Sequence, residues 1–157
     1  MLFLVALLLG ARSLGTVVKL ATAFTAAHSV TLALGALGWV TVPAEIVEPL
    51  IALSIAYVAA EAALGGDARH RLPVVFGFGL LHGLGFAGSL SWSGDLDLAA
   101  LATFNIGIEL GQALIVLAVF PVLLLLRRLS WSPFAHAGAA ACAGGFGLVW
   151  FFERLLA

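Results

Sequence analysis

Charge is scarce in this chain: Asp, Glu, Lys and Arg together make up 10% of its 157 residues. Soluble domains carry roughly 25%, so a water-covered surface around one core is a poor reading. Cysteine is scarcer still. Cys142 stands alone, which excludes an internal disulfide and a thiolate cluster for metal. A single methionine leaves no thioether set for soft Cu(I). The net charge of -1 offers no basic face for nucleic acid. No nucleotide-binding motif occurs either. What is present is apolar: 63% of the residues are hydrophobic, and the mean hydropathy is +1.18.

Several apolar runs reach the roughly 20 residues that a helix needs to cross a bilayer. They do not alternate with polar residues as barrel strands do, so helices are expected. Five full spans are readable, at 17–40, 46–64, 73–90, 98–126 and 134–156. A shorter apolar segment, Leu2–Gly10, precedes them. It lacks the basic start of a signal peptide and reads as the second half of a spanning helix. The expectation is an all-α, polytopic transmembrane bundle in one domain, with six crossings in a complete protein that starts upstream of Met1.

Basic residues fix the orientation. Arg12 and Lys19 follow the first segment, Arg69 and Arg71 lie before Pro73, and Arg127 and Arg128 lie before Phe134. The alternate connections, Thr41–Glu45 and Ser91–Asp97, hold no Lys or Arg, and the second contains Asp95 and Asp97. The positive-inside rule then makes the basic loops cytoplasmic and both termini external, with Arg154 the one exception.

Polar groups inside the spans are costly and mark a partner, a wet cavity or a substrate path. His28 lies in AFTAAHSVTLAL, one turn from Thr25 and from Thr31. His82 lies in FGFGLLHGLGFA, where Gly79 and Gly83 form a G-x-x-x-G pair for close helix packing. Asn105, Glu109 and Gln112 form a stripe on the fourth full span, beside a second pair, Gly107 and Gly111. Glu109 falls roughly 16 Å into that helix at 1.5 Å per residue. Glu48, before Pro49, sits near the external mouth; Ser54, Tyr57 and Glu61 share a face of the same helix. The Lys and Arg residues that fall within the spans as drawn, Lys19 and Arg154, sit near their ends, and none lies in a span interior. A cation is therefore the natural counterpart of Glu109. His136 and Cys142 in the last span are less informative, and Cys142 reads as a small packing residue.

These residues, in order, carry a resemblance. FTAAHSVTLAL, VEPLIALSIAYVAAE, FGFGLLHGLGFAGSL, FNIGIELGQ and WFFERLL look like the HupE/UreJ family of membrane proteins. That family is associated with hydrogenase and urease maturation and regarded as nickel permeases. The resemblance places the family's intramembrane polar motifs on His28, Glu48, Ser54, Glu61, His82, Asn105, Glu109 and Gln112. Two departures stand out. The family's Gly-x-Asp-His element before the first segment is missing, and Ala62 replaces an expected Asn.

The leading expectation is thus a nickel or cobalt permease of the bacterial cytoplasmic membrane, driven by a gradient or an outside partner. Imidazole, carboxylate and amide donors suit such ions. His28, His82, Glu109 and Asn105 are the expected metal ligands, with Thr25, Glu48, Ser54, Glu61 and Gln112 along the path or supporting the site. No fixed cofactor is expected, and the lipid bilayer, the ion and a hydrogenase or urease maturation system are the expected partners. Two other classes stay open: an intramembrane metal-dependent hydrolase, and an accessory subunit binding haem between His28 and His82.

Overall fold

The computed structural model describes residues 1–11, 13–65, 68–89 and 98–156. Within them the chain forms six helices and nothing else regular: α1 (Leu2–Gly10), α2 (Leu14–Ala36), α3 (Ala44–Leu64), α4 (Ala68–Ser89), α5 (Leu98–Leu126) and α6 (Ser132–Leu156). Five of them are long and apolar enough to cross a membrane; α1 is the short exception. The connection holding Asp95 and Asp97, and with it Leu90 and Arg12, lies outside the described residues.

Helix ends differ from the hydropathy limits where local chemistry overrides it. Ser13 caps α2, its hydroxyl accepting from the Thr16 amide at 3.2 Å. The helix stops at Ala36, not Val40, because Gly38 turns left-handed at φ 70°. The Gly38 and Trp39 amides then bond back to the Gly35 and Leu34 carbonyls, closing the helix with a Schellman turn. Gly65, at φ 71°, ends α3 in the same left-handed region. α4 starts at Ala68, one turn ahead of Pro73. The proline forgoes one backbone bond there, while Arg71 ties the added turn to two other elements.

Two helix pairs carry most of the packing, α2 with α4 and α3 with α6. Between lipid-facing helices close contact, not water exclusion, supplies the attraction. In α4, a Cβ on Gly79 would lie 2.5 Å from the Phe24 carbonyl oxygen, and one on Gly83 would strike the Thr31 hydroxyl and the His28 carbonyl. The Thr31 hydroxyl crosses this seam to donate to the Leu80 carbonyl at 2.7 Å. On the other pair, Gly147 brings α6 to within 2.7 Å, from its would-be Cβ, of the Ala56 amide nitrogen. Gly107 and Gly111 do not act this way: Gly107 faces open space, and Gly111 meets only the Met1 side chain at 3.2 Å. The second glycine pair therefore seats no helix among the described residues. Gly83→Ala is accordingly expected to destabilise by about 1–3 kcal/mol through overpacking, whereas Gly107→Ala leaves the thermal midpoint of the purified protein unchanged or slightly raised.

α1 runs through the middle of the bundle. Six of its nine residues are buried, and Phe3, Leu4 and Leu7 join Phe24, Ile55 and Val58 in the main core. Its last carbonyls have no helical partners, and side chains from three other segments supply them. Arg71 donates to the Gly10 carbonyl, Arg127 to the Ala11 carbonyl at 2.6 Å, and His136 to the Leu9 carbonyl at 2.8 Å. Cationic groups at a helix C-terminus also complement its dipole. Opposite this knot, Arg154 near the end of α6 pairs with Glu48 near the start of α3 at 2.9 Å. Both partners are well exposed, so Arg154→Ala is expected to shift stability by no more than about 1 kcal/mol, measured by thermal unfolding in detergent.

Candidate metal site

His28 and His82 line one cavity of about 90 Å³. It opens among α1, α2, α4 and α5, with Phe3, Phe24, Phe86 and Gln112 on its walls. At a liquid share of about 30 Å³ per molecule, that space holds roughly three waters or a partly hydrated ion. The close approach of α2 and α4 at Gly79 and Gly83 brings the two histidine-bearing helices together.

The two rings are prepared differently. His82 Nδ1 lies 2.8 Å from the Phe78 carbonyl, which can only accept, so Nδ1 carries the hydrogen. In the neutral ring the lone pair is left on Nε2. A histidine whose second nitrogen is tied to a carbonyl is the usual state of a metal ligand, because the bond fixes tautomer and orientation. His28 is 2% exposed, and neither ring nitrogen has a hydrogen-bond partner among the described residues. Such an orphan costs free energy unless something visits it. Phe24 stacks on the His28 ring at 6.0 Å between centroids, and Phe86 meets it edge-on at 5.5 Å. Phe24 and Phe3 also stand about 5 Å from His82, at 5.1 and 5.0 Å. Phenyl rings thus pack directly against both imidazoles.

Glu109 does not line this cavity. It is exposed and lines a separate, open groove of about 350 Å³ between α2 and α5. Asn105 does not line the cavity either: its oxygen accepts from the Ser29 hydroxyl at 2.7 Å, and its amide donates to the Leu101 carbonyl at 3.0 Å. Gln112 does reach the cavity, and its Oε1 accepts from Thr25 at 3.1 Å. The three-residue stripe thus serves two purposes. Asn105 and Gln112 bolt α5 to α2, and Glu109 faces outward between them. Among the described residues, no three His, Cys, Asp or Glu side chains gather closely enough to cage a metal ion.

Three other expected path residues have partners of their own. Ser54 is buried and donates to the Ile51 carbonyl of its own helix. Glu48 is held by Arg154. Glu61 accepts from Arg71 at 2.9 Å, with both side chains about one-tenth exposed, so it is an ion-paired structural group and not a free carboxylate at the interface. The hydropathy limits hid this pair by leaving Arg71 in a loop. Ser29 was also missed, although it lies four residues after Thr25 as Asn105 lies seven before Gln112. That reversed order is the signal of antiparallel helices joined twice.

A family model described as HupE / UreJ protein matches residues 1–154. The chain belongs to the HupE/UreJ family. No curated protein and no solved structure matches it. In this HupE/UreJ chain the histidine cavity therefore lies in a multi-pass membrane bundle whose family is associated with nickel or cobalt transport or accessory roles.

Proposed function

We propose that this chain is a nickel or cobalt permease in which His28 and His82 form the transient binding station. The observation that carries the reading is the His82–Phe78 bond, which leaves the lone pair on Nε2 of a ring lining the same cavity as His28, itself without a hydrogen-bond partner among the described residues. Imidazole nitrogen suits divalent nickel and cobalt. Two protein donors, completed by water and the Gln112 carboxamide, bind less firmly than a full cage. That suits cargo, which must leave as readily as it enters. A resident cofactor would call for more ligands.

The orientation follows from the basic residues: the knot of Arg71, Arg127 and His136 lies at the cytoplasmic face, and the Glu48–Arg154 pair at the external face of the bacterial inner membrane. Arg154, the exception to the charge rule, is there neutralised by Glu48. A hydrogenase or urease maturation system is the natural recipient of the ion within this family. Uptake of nickel or cobalt by cells expressing the full protein tests the proposal. His28→Ala and His82→Ala should each reduce uptake to background, and uptake indifferent to both would remove the site.

A further inference from the structure

Ala21 and Gln112 line both the histidine cavity and the α2–α5 groove, so the two spaces share a wall. The polar part of that wall is one hydrogen bond, from the Thr25 hydroxyl to Gln112 Oε1. Both side chains are buried, 5% and 8% exposed. On one side, His28 follows Thr25 by one helical turn. On the other, Glu109 precedes Gln112 by one turn and lines the groove with Thr22 and Thr25. Glu109 forms no ion pair among the described residues. A carboxylate at this depth needs a cation, a proton or a partner group.

From this arrangement we infer that the Thr25–Gln112 hydrogen bond is a gate between two cation stations, the imidazole pair inside and Glu109 outside. The inference rests on the permease reading. A divalent ion held by two neutral imidazoles leaves the cavity by passing the Gln112 side chain, whose amide oxygen is itself a donor atom for it. Beyond the gate the first charged group is Glu109, which takes the ion as the amide returns to Thr25. The groove continues along α2 to Leu14, at the end of the bundle that carries Arg71 and Arg127. The direction is therefore from the cavity toward that end. A single hydrogen bond with a modest net strength can hold such a gate shut and still let it open readily.

Cobalt(II) binding to the full chain in lipid nanodiscs tests this. Two Co²⁺ per chain are expected, and Glu109→Gln should remove one while leaving the visible spectrum of the imidazole-bound ion. Thr25→Val should speed release of that ion to a chelator by roughly threefold to tenfold, as expected for one lost hydrogen bond, and Gln112→Leu, which also removes a donor oxygen, by at least as much. Thr25→Ser, which keeps the hydroxyl, should restore slow release and guard against misfolding as the cause. Loss of the imidazole-bound ion in Glu109→Gln would show one composite site and overturn the inference, as would release rates untouched by both gate variants. Absence of any imidazole-bound cobalt in the unaltered chain would instead defeat the permease reading and the gate together.

Discussion

His82→Ala is expected to lower the affinity of the purified chain for Co²⁺ or Ni²⁺ by more than about 100-fold. Losing only the partner that orients a ligating histidine costs about 10–100-fold in metal affinity, so losing the ligand itself should exceed that range. The structure leaves little to compensate. Among the described residues lining the cavity, His28, Gln112 and the soft thioether of Met1 offer further side-chain donors, and the phenyl rings supply none. His28→Ala should behave alike, because its two nitrogens have no other occupation. His70→Ala is the control: His70 is exposed at the start of α4, and its loss should leave affinity unchanged. Calorimetric titration of the full chain checks all three. An unchanged affinity in His82→Ala would place the metal elsewhere.

Arg71→Ala is expected to be the most damaging substitution for stability, at about 3–5 kcal/mol, because it strands a buried partner charge. One guanidinium here serves two acceptors, with Nε on Glu61 and a terminal nitrogen on the Gly10 carbonyl. Its removal leaves the Glu61 carboxylate about one-tenth exposed without a counter-ion, and frees the end of α1. Lysine has a single ammonium and cannot reproduce the fork, so Arg71→Lys should recover only part of the loss. Arg71→Met combined with Glu61→Met should be less harmful than Arg71→Ala alone, since no unpaired charge remains. Thermal unfolding of the purified variants measures the order. A double variant as unstable as the single one would locate the effect in the α1 carbonyl, not in the ion pair.

Much of the bundle was legible before any coordinates. α1 and α5 lie within the limits their hydropathy set, and the histidines stood out as imidazoles in apolar runs. Their shared cavity is less obvious from sequence, but the glycines around His82 already pointed to a close helix neighbour. What could not be read is which polar groups meet. Glu109 shares a helical face with Asn105 and Gln112, yet the structure turns it into a groove while its neighbours bond to α2. Helical phase gives the direction of a side chain to within a broad arc, and the rotation of α5 against α2 decides the remainder. Glu61 and Arg71 escaped for a different reason. Pro73 resembles a helix start, and placing Arg71 outside the helix hid the tertiary contacts that extend α4 by one turn. Hydropathy records transfer from water to lipid; it carries no information on pairing between groups already inside.

The anchoring of α1 also has a consequence for biogenesis. The ribosome makes α1 before α2–α6, but the groups that secure its end come from positions 71, 127 and 136. Contacts so distant along the chain form late, because the intervening segments must be inserted before the ends can meet. A helix synthesised ahead of these five is thus fastened only after them. Until α6 arrives, the Leu9 carbonyl lacks the imidazole that holds it in the finished bundle. Membrane insertion and completion of the cavity that α1 helps to wall are therefore separate events, the second waiting on translation of α6.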